Sequence, residues 1–166
     1  MGGFRIESAV GTGAVDASVL DRAGPSRIDY VDHFALGPFD ATIAAPEQWA
    51  RAMFGDVPSP AERFIWQGLL QLRLRKGRSP STVAGWTITE RGEDWIRLEA
   101  ASAAMRGGLV VRSTAEALSL ATTVRYDRAR AALVWRPLSA VHRRLAPGLL
   151  RDTLDTVSAA PDLRRR

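Results

Sequence analysis

The chain has 166 residues, a formal net charge of +5 and no cysteine, and hydrophobic residues make up 46% of it. That length supports one domain that buries its own apolar core, and the missing cysteines exclude disulfides, thiolate metal sites and cysteine nucleophiles. No run approaches the roughly 20 apolar residues of a membrane-spanning helix. Gly11, Gly13 and Asp16 interrupt the apolar centre that a signal peptide needs, so the expectation is a cytoplasmic protein with no membrane span. Of the 23 basic residues only Lys76 is lysine. This arginine skew goes with abundant alanine and no nucleic-acid reader motif, so the positive charge reads as solvated surface rather than a nucleic-acid site.

Residues 1–26 carry scattered Gly, Ser and Asp with little periodicity and read as a loosely ordered arm. A single domain is expected over residues 27–160, followed by a basic tail at 161–166. The segment Ile28–Leu36 alternates with the two-residue period of a strand and places Tyr30, Phe34 and Leu36 on one face, with Asp32 among them. Ala45–Phe54 predicts a short helix with Pro46 in its first turn, where a missing N–H does no harm. Ser59, Pro60 and Glu62 then form a capping-box signature for a second helix that runs to Gly77.

After that the rhythm changes to strands. Thr82–Glu90, Trp95–Ala104, Leu109–Arg112 and Ala117–Tyr126 predict an antiparallel meander, with turns at Arg91–Asp94 and Gly107–Gly108. Ala131–Trp135 reads as a last strand. From Leu138 the period becomes helical, with a kink or break expected at Pro147.

The order of a strand, two short helices, a meander and a long C-terminal helix resembles the START-related helix-grip superfamily, often called SRPBCC. Three stretches resemble a bacterial domain of unknown function within it. These are DYVDHF at 29–34, WQGLLQLRLRKGRSP at 66–80 and LVWRPLSAVHRRLAPGLL at 133–150, which carries His142. In some relatives this domain follows a nucleotide-binding domain like that of short-chain dehydrogenases. Here Gly11 and Gly13 are too isolated to make such a glycine-rich unit. The resemblance implies an α+β helix-grip fold, in which a curved antiparallel sheet wraps around the C-terminal helix and encloses a cavity.

Such a cavity, expected above roughly 300 Å³, would take an apolar or amphipathic small molecule of lipid, polyketide or isoprenoid type. Alternation assigns Tyr30, Phe34, Trp86, Ile88, Leu98, Leu120, Thr122 and Tyr126 to its wall, provided that no bulge inverts the phase. Asp32, a carboxylate among apolar neighbours, and His142, at the border of the helix's apolar stripe, are the candidates for acid–base chemistry. They define an alternative function, a polyketide cyclase- or dehydratase-like enzyme with Tyr30 or Tyr126 polarising a carbonyl. That reading requires at least two of these groups within ~8 Å of each other. A second alternative is a protein-interaction module with a filled interior and an exposed apolar patch. With two histidines and no carboxylate spacing signal, no metal and no cofactor are expected. A homodimer is compatible with the sequence, which marks no interface for one.

Overall fold

The computed structural model describes residues 3–160, so the basic tail expected at 161–166 lies outside them. A seven-stranded antiparallel sheet is built from β1 (Arg5–Val10), β2 (Tyr30–Gly37), β3 (Thr82–Val83), β4 (Trp86–Arg91), β5 (Trp95–Ala101), β6 (Met105–Ser113) and β7 (Leu118–Tyr126). Its spatial order is β1-β2-β7-β6-β5-β4-β3. Among the described residues four α-helices accompany it: α1 (Ala17–Arg22), α2 (Pro46–Phe54), α3 (Pro60–Arg63) and the 31-residue α4 (Ala129–Ala159). This is an α+β fold with short helices ahead of the meander and a long C-terminal helix, an architecture compatible with a helix grip.

Alternation sets the inner face. Asp32 lies opposite Thr122, Phe34 opposite Leu120, and Leu109 opposite Thr122 across the next ladder. Leu36, Leu98, Leu118 and Leu120 are almost wholly buried on that face, against Trp49 of α2 and Leu150 and Val157 of α4. The indole of Trp49 donates to the Ala41 carbonyl at 2.7 Å, which satisfies its polar edge inside the core. A bulge between Ile88 and Glu90 shifts the β4–β5 register, so Glu90 pairs with Arg97 while Ile88 keeps Leu98.

Several elements depart from the sequence reading, each for a local reason. The loosely ordered arm holds β1, an edge strand paired with β2, and α1, whose N-cap is Asp16. It lies across the outer face of the sheet, where Arg97 reaches the Arg22 carbonyl at 3.0 Å and packs against Gly24. Val31, Val110 and Ala121 are buried on that face, and so are Val15 and Ala23 of the arm. Arg97 is largely covered and bridges Glu90 and Glu99.

The second predicted helix forms its capping box, with Ser59 and Glu62 exchanging hydrogen bonds at 3.2 Å. It then widens into a π-helical turn at Phe64–Leu69 and stops before Gly77. Downstream its backbone is claimed elsewhere: the Arg73 N–H by the Ala101 carbonyl and the Arg75 N–H by the Gly85 carbonyl. The expected strand Thr82–Glu90 is divided by a turn at Ala84 and Gly85, both with positive φ. A Cβ on Gly85 would lie 2.8 Å from that of Leu74.

Gly107 and Gly108 lie inside β6 and do not turn the chain. They are small because the Trp86 ring and the Thr123 hydroxyl approach their Cα atoms closely. The turn comes earlier, where the Ser102 hydroxyl accepts from the Ala104 and Met105 N–H groups. Ala131–Trp135 is the start of α4, since Ala131, Trp135 and Ser139 are buried at i, i+4 and i+8, a helical stripe. Pro137 and Pro147 both lie inside that single continuous helix.

Candidate functional site

Between α4, the π-helical turn and the inner face of the sheet lies a cavity of about 250 Å³. Its walls follow from the elements just described. Helix α4 contributes Trp135, Leu138, His142, Ala146 and Leu149 at the spacing of one helical face, and the sheet contributes Trp86, Leu109, Leu120, Thr122 and Val124. Glu62, Ile65, Trp66 and Leu70 close the remaining side. A π-helical turn in that wall is notable because such turns concentrate at functional sites. Val141 and Leu145 line the cavity yet are 48% and 61% exposed, so they mark its mouth. The volume falls short of the roughly 300 Å³ expected. The reason is aromatic filling: Trp66, Trp86 and Trp135 all stand in the wall, and the first two meet edge to face at 5.4 Å.

The polar part of the site is one connected group. Asp32, with no exposed surface, accepts a hydrogen bond from the Tyr30 hydroxyl at 2.5 Å through Oδ2. The same oxygen lies 3.2 Å from His142 Nε2, which also lies 3.2 Å from the Thr122 hydroxyl. Asp32 Oδ1 is buried with no hydrogen-bond partner among the described residues. Helix α4 supports the group from the other side: Arg143 donates to the Tyr30 hydroxyl at 3.3 Å and to the Ser139 hydroxyl at 3.1 Å. Trp135 packs edge-on to Tyr30 at 5.3 Å and tilted against His142 at 5.8 Å, which holds both rings in place. Burial, reinforced by the bond to Asp32, pushes the Tyr30 phenol well above the ordinary tyrosine range, so it stays a hydrogen-bond donor.

This geometry determines what each group can do. Because His142 turns Nε2 to Asp32 and Thr122, its Nδ1 makes no hydrogen bond with the described residues. Nδ1 is therefore the ring atom left for a guest. A buried carboxylate behind an imidazole fixes the ring's orientation and tautomer. Asp32 and Tyr30 themselves do not line the cavity and act on it only through His142.

Of the residues expected on the wall, Trp86, Leu120 and Thr122 line the cavity. Phe34 and Leu98 are buried core beyond it, Ile88 packs half-buried against that core, and Tyr126 stands away from the cavity at the sheet's end. Burial raises the Tyr126 phenol too, but Tyr126 does not line the cavity. The residues that sequence reasoning missed are those of the π-helical turn, the first turns of α4, and Glu62. The i, i+3, i+7 pattern of Trp135, Leu138 and His142 carried the α4 signal, which reading Trp135 as strand concealed. Glu62 was recognised as a cap but also faces the cavity, and burial raises its carboxyl above the usual range.

Compared with known proteins, the chain matches no protein-family model, no curated protein and no solved structure. Among the described residues no helix is long and apolar enough to cross a membrane.

Proposed function

We propose that this protein binds a small apolar or amphipathic molecule in the cavity between α4 and the sheet, as a member of the START-related helix-grip superfamily would. The observation that supports this reading is the character of the cavity. It is an apolar enclosure reached through an exposed apolar mouth, with a few polar groups convergent on one wall. An engineered apolar cavity of about 150 Å³ takes up benzene, so about 250 Å³ suits a molecule of one or two rings, or a short isoprenoid or polyketide unit. A long lipid chain fits only by running out past Val141 and Leu145. A module with a filled interior, by contrast, has no use for this space.

The test uses the tryptophans. Three of the five, Trp66, Trp86 and Trp135, line the cavity, so a guest changes intrinsic fluorescence. Titration of the full chain with the bicyclic hydrocarbon tetralin should give saturable quenching. Ala146→Phe, which fills the cavity from α4, should abolish it while circular dichroism stays native. Saturable binding that survives Ala146→Phe unchanged would place the site elsewhere and end this reading.

One observation favours a second reading, acid–base catalysis in the same cavity. Tyr30 donates to Asp32, whose Oδ2 lies 3.2 Å from the cavity-lining imidazole of His142. In that reading His142 is the catalytic residue and Asp32 its positioning residue. It predicts turnover of an enolisable ketone, followed as solvent deuterium uptake, that is lost in His142→Gln and reduced in Asp32→Asn. Equal exchange in all three proteins would leave binding as the function.

A further inference from the structure

Helix α4 turns one side to the core and leaves the other uncovered among the described residues. Leu133, Pro137, Val141 and Leu145 stand at i, i+4, i+8 and i+12 and are all exposed, Leu133 to 73%. At that spacing they form one apolar stripe along the helix. The stripe runs into the mouth of the cavity, because Val141 and Leu145 also line it. In the π-helical turn, which closes the remaining side of that cavity, Phe64 is 65% exposed beside Ile65. The outer face of a surface helix ordinarily carries polar groups, so a continuous apolar stripe there marks an interaction surface.

Charge says what kind of surface it meets. From Ala129 to Arg151 the helix holds five arginines and no acidic residue. Arg130, Arg136, Arg144 and Arg151 are exposed, and none of them pairs with a carboxylate among the described residues. Arginines elsewhere, such as Arg51, Arg97 and Arg112, do pair with carboxylates. Uncompensated arginines beside an apolar stripe are the arrangement of an amphipathic helix lying in the interface of an anionic bilayer. Two other occupants fit less well. A second copy docked through the same stripe would bring like charges together. A nucleic acid would find aliphatic chains along the stripe and no aromatic ring to stack on its bases.

We infer that the outer face of α4, with Phe64 across the cavity mouth, docks on an anionic lipid bilayer, its apolar stripe in the headgroup boundary and its arginines on lipid phosphates. This docking stands on the stripe and its arginines, whatever the cavity holds.

The experiment sediments the full chain with two kinds of vesicle, phosphatidylcholine alone and phosphatidylcholine with phosphatidylglycerol in a two-to-one ratio. At physiological salt the protein should bind the anionic vesicles at least about tenfold more tightly than the neutral ones. That preference should vanish at about 1 M salt, where the screening length falls from about 8 Å to about 3 Å. This salt dependence is read on the unmodified protein, so it does not require any variant to fold. Arg144→Gln combined with Arg151→Gln should weaken anionic binding about twenty- to thirtyfold, at about fivefold for each arginine near the surface. Leu133→Ser, exposed and outside the cavity wall, should weaken it about five- to tenfold. Arg5→Gln removes the same charge from an exposed position of β1, in the register opposite to the inward Ile6, and should stay within about twofold. Equal binding to both lipid compositions, or binding to neither, overturns the inference. So does a dimer in light scattering that Leu133→Ser dissociates, which gives the stripe to a second copy. An oligonucleotide that binds more tightly than the anionic vesicles also overturns it and gives the arginines to nucleic acid. None of these outcomes alters the tetralin titration, so this inference and the cavity reading fail separately.

Discussion

Asp32→Ala is the most informative single perturbation. The carboxylate has no exposed surface and accepts from Tyr30 at 2.5 Å, with His142 Nε2 at 3.2 Å. Removing it leaves the half-buried Tyr30 hydroxyl without its acceptor and takes the carboxylate away from His142, whose Nε2 keeps the Thr122 hydroxyl. Each hydrogen bond to a charged group is worth about 1.5–3 kcal/mol, and breaking a buried pair from one side typically costs about 3–5 kcal/mol. The expected loss is therefore about 3–5 kcal/mol, seen in chemical denaturation as a lower midpoint with an unchanged m value. In a thermal scan it is a fall of about 6–20 °C for a chain of this size. Asp32→Asn keeps the shape and, with its amide oxygen at the Oδ2 position, an acceptor for the Tyr30 hydroxyl, while its NH₂ takes the place of the unpartnered Oδ1 and the charge is lost, so its cost should be smaller, about 1–3 kcal/mol. Combining Asp32→Ala with Tyr30→Phe closes a cycle. Because Phe removes the stranded hydroxyl, the double variant should recover about 0.5–3 kcal/mol relative to additivity. A neutral Asp32→Ala, or a strictly additive pair, would refute the buried hydrogen-bonded group on which the polar wall depends.

Two further predictions concern pH and one concerns the backbone. Burial lowers the folded-state pKa of His33 on the outer face, against the opposing pull of Asp32, Asp16 and Glu7 and with that of Arg112. The unfolded chain then binds the extra proton first, so stability contributed by neutral His33 is present above pH ~6.5 and falls as pH drops through the window below it. Urea titrations at pH 7.5 and 5 should show a smaller acid loss in His33→Gln than in the parent. Glu62 has the opposite sign: burial raises its carboxyl above the unfolded value. Its neutral form favours the fold at low pH, and that contribution is lost as pH rises through the folded-state pKa. Glu62→Gln, which can keep the cap to Ser59, should therefore gain stability over the parent at pH 7 and match it at pH 4. Gly85→Ala should cost about 1–3 kcal/mol or more by denaturant unfolding, since φ is +83° and the new Cβ meets Leu74 at 2.8 Å and the Arg75 carbonyl at 2.9 Å.

What was legible in the sequence followed from period and from buried contrast. The strict alternation of Tyr30–Leu36 and Leu118–Tyr126 fixed their phase, and with it the inward placement of Asp32, Phe34, Leu120 and Thr122. The bulge in β4 did not upset this because it falls after Ile88 and displaces only the exposed end of that strand. What was not legible depended on contacts distant in sequence. The strand β1 exists because β2 offers it an edge, and the helix after Ser59 ends early because β5 and the Gly85 turn take its next N–H groups. Glycine was misleading in both directions: at Gly107 and Gly108 it serves close packing inside a strand, and at Gly85 it turns the chain inside an expected one.

The cavity itself arises from a mismatch in size that only the assembled layers reveal. Trp86 leans over Gly107, where a Cβ would lie 3.0 Å from the ring. On the facing helix the position nearest the core is Ala146, 2% exposed, set between Leu145 at the mouth and Leu150 in the core. Small residues on two opposing layers leave a gap that the large side chains around it cannot close without abandoning their own partners. Trp135 is held by Tyr30 and His142, Trp66 by Phe54 and Trp86. Close packing elsewhere in the core therefore keeps this gap open.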